Sequence, residues 1–135
     1  MIFPMIQLQA QQVVEGDIVG DWYDADTNKI NVFKINDKFI GKIVELHKPY
    51  GPDGKPLLDI HNPIDSLKTR KVQGIIFLRG CKFDGAGWKD GDKYNYQDGK
   101  TFKRDIIISN PIRKDTIIIL DSGTKTSHWT KKKPN

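Results

Sequence analysis

The sequence predicts an all-β protein, an antiparallel barrel of about eight strands with one short helix in a long loop. Three observations lead there. Apolar and polar residues alternate with period two through most of the 135 residues. Gly, Pro, Asn and Asp clusters punctuate those segments at short intervals, as hairpin turns do. Short strands joined by hairpins become antiparallel neighbours, and closing the sheet removes its exposed edges. A two-sheet β-sandwich is the alternative arrangement of the same segments.

The elements follow in order. Segment 17–23 reads as the first strand and carries Gly20-Asp21-Trp22; segment 24–28 is a polar turn. Segment 29–35 is the second strand, followed by Asn36-Asp37, a hairpin signal close to the favoured Asn-Gly type. Segment 38–47 is a long third strand rich in branched residues, with Gly41 placed for a bend or bulge. Segment 48–62 then holds Pro49, Pro52 and Pro56 with Gly51 and Gly54, which is loop chemistry. Asn62-Pro63 followed by Asp65 has the form of a helix start, with a cap, a proline in the first turn and an acid near the positive end. A helix of about two turns fits before Arg70.

Strands resume at 72–83, residues 84–87 turn the chain, and Trp88 opens a short segment towards Asp90-Gly91. Segment 92–97 carries Tyr94 and Tyr96 on one face, and Asp98-Gly99 is a strong hairpin signal. Segments 101–109, 116–121 and 125–131 complete the set, with turns at Asn110-Pro111 and Ser122-Gly123. No internal repeat or linker divides the chain, so residues 11–135 form one domain.

Composition narrows the function classes. Hydrophobic residues at 37% and charged residues at 29% belong to a folded globular chain and argue against disorder. The net charge of +5 is partly concentrated in Lys131, Lys132 and Lys133, a solvated terminal run. Lys93, Lys100, Lys103 and Arg104 beside the two tyrosines resemble a single-strand-binding face, but Asp90, Asp92, Asp98 and Asp105 dilute the field, so no nucleic-acid partner is expected. The lone Cys81 excludes an internal disulfide and lies in an apolar run, as a buried thiol does. The apolar segment 1–10 ends at Ala10 like the tail of a secretory signal peptide, so export to the periplasm or beyond is expected. It is too short to span a bilayer, which takes roughly 20 residues, and no transmembrane segment is expected elsewhere.

Gly20-Asp21-Trp22 is similar to the Gly-x-Trp signature of lipocalins and other calycins. The wider set is Asp17 to Tyr23, Gly41-Lys42-Ile43-Val44, Pro52-Asp53-Gly54-Lys55-Pro56, Asp59, Asn62-Pro63 and Leu67-Lys68-Thr69-Arg70. It continues through Trp88, Tyr96 and Gly99-Lys100-Thr101-Phe102 to Trp129-Thr130-Lys131. Together these resemble the secreted bacterial domain-of-unknown-function family 2147, placed among calycin-like barrels. Ile64, Lys68, Lys71 and Lys131 depart from its pattern; Lys131 stands where Arg is usual. The resemblance implies a lipocalin-like barrel and export, and no chemistry. It also implies a structural plug: Trp22 closing one end, Lys131 lying across its ring, and Gly20 allowing close backbone approach.

No catalytic residues are expected. His47, His61 and His128 lack zinc-site spacing, and Asp53, Asp59 and Asn62 lack the alternation of a calcium loop, so neither metal nor cofactor is expected. Ser127 and His128 are strand neighbours pointing to opposite faces, and no nucleophile elbow or phosphate loop occurs, which disfavours a hydrolase. The sharpest candidate is Arg104. Alternation puts Phe102, Arg104, Ile106 and Ile108 on the inward face, and a buried guanidinium needs an anionic partner. The expected ligand is therefore a small amphipathic acid or lipid gripped by Arg104, with Phe102, Tyr94, Tyr96, Phe33 and Phe77 as wall. The rival role is docking of an envelope protein by the 48–70 excursion, with Asp53, Asp59, Asn62 and Arg70 as contact candidates.

Overall fold

The computed structural model describes residues 12–120 and 126–135. The expected signal-peptide segment 1–10 and the start of the last expected strand lie outside the described residues. Eight strands form a closed barrel in chain order: β1 (Gly20–Tyr23), β2 (Lys29–Ile35), β3 (Lys38–Glu45), β4 (Ile76–Phe83), β5 (Trp88–Asn95), β6 (Lys100–Ile108), β7 (Thr116–Leu120) and β8 (Thr126–Thr130). Every neighbouring pair is antiparallel, and β1 meets β8 at Tyr23 and Thr130. That closure settles the barrel against the sandwich. No described helix is long and apolar enough to cross a membrane.

Alternation builds the core. Ile30 and Val32 of β2, Ile106 and Ile108 of β6, and Ile117 and Ile119 of β7 point inward and are buried. Cys81 is buried with them, and burial followed by the charges of Asp105 and Asp92 pushes its thiol up to about 12. Gly41 lies where the β3–β4 register shifts, and a Cβ there would stand 3.0 Å from the Leu78 Cβ.

Several boundaries differ from expectation. Segment 17–23 is not one strand: a short 3-10 helix, Glu15–Ile18, precedes β1. The helix expected before Arg70 reduces to a single 3-10 turn, Asp65–Leu67. Two turns are too short to persist alone, and the Asn62 side chain is engaged by Asp59 as well as by the Ile64 amide. β4 starts at Ile76 rather than at 72. Trp88 and the tyrosine segment form one strand, because the chain bulges at Lys89–Asp90 and does not turn at Asp90-Gly91: the register shifts between Trp88 and Gly91, and Asp90 has φ 59°.

The 3-10 helix closes one end of the barrel. Trp22 Nε1 donates to the Ile18 carbonyl at 2.8 Å, and Trp88 Nε1 donates to the Glu15 carbonyl at 3.3 Å. Both indoles and Ile18 are fully buried. Phe83 and Phe39 pack on Trp88 at ring separations of 5.1 and 6.3 Å. Lys114 ties Asp17 at 2.8 Å, and Lys34 ties Glu15 at 2.9 Å. The Tyr23–Thr130 pairing sets Lys131 opposite Trp22, and its Nζ stands 5.2 Å from the indole centroid. Gly20 has a different role from the expected one. Nothing lies within 4 Å of a Cβ built there, so close approach is not its reason; its φ of 128° is, since that conformation suits only glycine.

Candidate functional site

Among the described residues, the opposite end is open. It is formed by the β1–β2 turn, the long 46–75 excursion between β3 and β4, and the β5–β6 turn. A cavity of about 260 Å³ enters the barrel there. Its floor is apolar: Ile30, Ile43, Phe77 and Trp129, with Phe77 and Trp129 rings 5.7 Å apart. Polar groups border it above: Asp24, Asp26 and Asn28 from one side, Lys93 and Ser127 from the walls, Tyr96 and Gln97 from the β5–β6 turn. A second cleft of about 500 Å³ adjoins it, sharing Asp26, Asn28, Tyr96 and Gln97 and reaching His47 and Lys48.

The β1–β2 turn is rigidly tied. Asp24 accepts hydrogen bonds from the amides of Asp26 and Asn28 at 3.0 and 2.8 Å and from Asn28 Nδ2 at 3.0 Å. Asn28 Oδ1 in turn accepts from the His47 amide at 2.9 Å, which fixes the turn to the start of the excursion.

The excursion is anchored by Asp59. Its carboxylate is fully buried and accepts from Tyr94 Oη at 2.6 Å, Asn62 Nδ2 at 2.8 Å and Arg70 Nε at 2.9 Å. Burial alone would raise its pKa, but the three hydrogen bonds and the Arg70 charge outweigh that and hold it below the ordinary 3.8. Tyr94 is pushed up to about 12, by burial first and then by the Asp59 carboxylate. The backbone of His61 lies against Gly99, where an added Cβ would overlap its carbonyl, so excursion and β5–β6 turn are fitted together.

The six expected wall and grip residues divide evenly. Phe77, Tyr94 and Tyr96 border the cavity; Phe33, Phe102 and Arg104 do not. Phe33 alternates with the buried Ile30 and Val32 and so faces outward. Arg104 and Phe102 share the side of Ile106, as alternation requires, but sit where that strand emerges into solvent. Phe102 is exposed, the Arg104 guanidinium stands 5.0 Å over its ring, and Nη1 donates to the Lys103 carbonyl at 2.8 Å. Alternation assigns a side and says nothing of depth. Tyr94 is also less available than expected, because its hydroxyl is committed to Asp59.

Lys93 borders the cavity although the sequence does not point to it, as do Asp24, Asp26, Ile30, Ile43 and Trp129. The bulge at Lys89–Asp90 reverses the alternation of β5, so Gly91 and Lys93 fall on the same side as Leu78, which Lys93 pairs with. A bulge at Lys89–Asp90 in place of a turn at Asp90-Gly91 is the signal that would place it. Among the docking candidates, Asp53 is exposed and accepts from the Lys55 amide within its own turn. Asp59, expected to be exposed, is buried, because three donors converge on it. Arg70 is partly exposed and Asn62 is buried. Ser127 borders the cavity while its neighbour His128 is exposed. Among the described residues no group of His, Cys, Asp and Glu is placed to hold a metal ion.

Comparison with known proteins fits this geometry. No curated protein matches the sequence. The fold is similar to that of a solved structure described as "Protein HP1028 from the human pathogen Helicobacter pylori belongs to the lipocalin family", with TM-score 0.70 and 22% identity, covering 87% of this chain and 83% of that one. At that identity the likeness speaks for fold alone. The family model described as "Uncharacterized protein conserved in bacteria (DUF2147)" matches residues 20–131, from the Gly-x-Trp glycine to the lysine over its indole, and the chain belongs to that family.

Proposed function

We propose that the protein binds a small amphipathic or apolar molecule, without catalysis, in the cavity at the open end of the barrel. One observation carries this reading: an apolar floor of Ile30, Ile43, Phe77 and Trp129 beneath a polar border, in a barrel whose other end is closed. Such a site takes an amphiphile with its apolar end first. The volume suits a short chain, about nine heavy atoms at roughly 30 Å³ each. Export, suggested by the apolar segment 1–10, belongs to the same proposal and is checked by fractionating cells that make the protein.

Calorimetric titration with neutral straight-chain alcohols from butanol to decanol tests the reading. Saturable binding is expected, with a change in Trp129 emission and an optimum chain length. Ile43→Phe narrows the cavity and is expected to shift that optimum to shorter chains. Absence of saturable binding across the series overturns the proposal. A second reading has its own observation. Tyr50, Leu58, Ile60 and Ile64 expose apolar side chains on the excursion, as a surface that docks an envelope protein would. Removing them together would abolish capture of such a partner and leave alcohol binding intact.

A further inference from the structure

The titratable groups that border the cavity do not match the chain that carries them. The whole protein has a net charge of +5, yet among the described residues the cavity is bordered by two carboxylates, Asp24 and Asp26, against one ammonium, Lys93. Asp24 is fixed by three donors from its own turn, none of them charged. The Asp26 carboxylate forms no ion pair or side-chain hydrogen bond among the described residues, and it stands at the shared edge of the cavity and its neighbouring cleft. Tyr96 lines both spaces as well.

We infer that the cavity selects an amphiphile whose head group carries a cationic nitrogen, held between the Asp24 and Asp26 carboxylates and the face of Tyr96. This rests on the binding reading above and names the ligand class for the same cavity. The physical grounds are two. Carboxylates and an aromatic face are the groups that attract an ammonium, and each gains strength where part of the surrounding water is displaced. The fields of Asp24 and Asp26 also reach Tyr96, whose hydroxyl pKa is raised by burial first and then by these two charges. Arg104, the expected grip for an acid, does not border the cavity. A plain amine and an amino acid share the required nitrogen. They differ in whether a carboxylate accompanies it.

Four compounds with one six-carbon chain make the test: hexanol, hexylamine, hexanoate and 2-aminohexanoic acid, titrated calorimetrically near neutral pH and low salt. Hexylamine is expected to bind about tenfold more tightly than hexanol, and hexanoate more weakly than hexanol. Asp26→Asn, at an exposed position, is expected to remove most of the amine-over-alcohol difference. Added salt should narrow the same difference. An amino acid that binds better than the amine widens the class to zwitterions, and one that binds less well restricts it to plain amines; both keep the cationic nitrogen. Hexanoate binding as tightly as hexylamine overturns the inference, as does a difference unchanged in Asp26→Asn. Failure of hexanol itself to bind overturns the cavity reading, and the head-group assignment with it.

Discussion

At the closed end, Ile18, Trp22 and Trp88 are held by apolar burial and by two indole N–H groups that find backbone carbonyls. At the open end, one carboxylate gathers Tyr94, Asn62 and Arg70 from three separated stretches of chain. In the first construction the apolar burial is non-directional, and neither it nor the two indole hydrogen bonds titrate. The second is directional, and it fails as a unit if its acceptor is lost or protonated. The open end can therefore loosen while the barrel persists.

The largest effect expected from breaking this contrast lies at Trp22. Trp22→Ala leaves a cavity where a fully buried indole stood and frees the Ile18 carbonyl, at a cost of about 3–5 kcal/mol. Denaturant unfolding followed by the remaining tryptophans should show a lower midpoint for the whole barrel. A midpoint unchanged within error would mean that the plug is not part of the cooperative core.

Asp59→Ala comes next. It leaves Tyr94, Asn62 and Arg70 without their common acceptor, and because Arg70 is about a third exposed the cost is moderated to about 2–3 kcal/mol. Hydrogen exchange should speed up in the 57–72 stretch while β6 and β7 keep their protection. Uniform acceleration would show that the two ends are not separable.

Acid should imitate that substitution. The folded pKa of Asp59 is depressed, so its stabilisation is present above the ordinary 3.8 and is lost as pH falls below that, through the depressed value. Tyr94 has the opposite sign: raised to about 12, it contributes stability below pH 10 that is lost as pH climbs from there. Stability against pH in wild type and Asp59→Asn should therefore converge at the acid end. Parallel curves throughout would remove Asp59 as the acid-sensitive group.

The same division governs what could be read from sequence. The plug was legible through the family resemblance: Gly20 and Trp22 form a local signature, and the resemblance implied that Lys131, at the far end of the chain, lies across the indole, where the Tyr23–Thr130 register places it. The eight strands were legible because alternation and hairpin turns are local too. Asp59 was not: its three donors lie 3, 11 and 35 residues away, and nothing in its immediate sequence says that they converge. Arg104 was assigned the right side of β6 and the wrong depth, since alternation carries no information on where a strand leaves the core. Lys93 was hidden by a one-residue bulge that flips every later side chain of β5.

The smallest effect, and the finest test of the closed end, is at Lys131. Its ammonium faces the Trp22 indole at 5.2 Å from a solvent-exposed position, so the pair contributes about 0.5–1 kcal/mol. Lys131→Met keeps the aliphatic stem over the ring and removes only the charge, so the loss should stay in that range and shrink as salt rises. Lys131→Arg should do the reverse. A guanidinium is planar, stacks on an indole and is more weakly hydrated than an ammonium, so a gain of a few tenths of a kcal/mol is expected. Chemical denaturation of the three proteins at two salt concentrations orders them Arg, Lys, Met if the cation acts through the ring. If Met matches Lys, the contact is packing by the stem alone, and the closed end owes nothing to charge at this position.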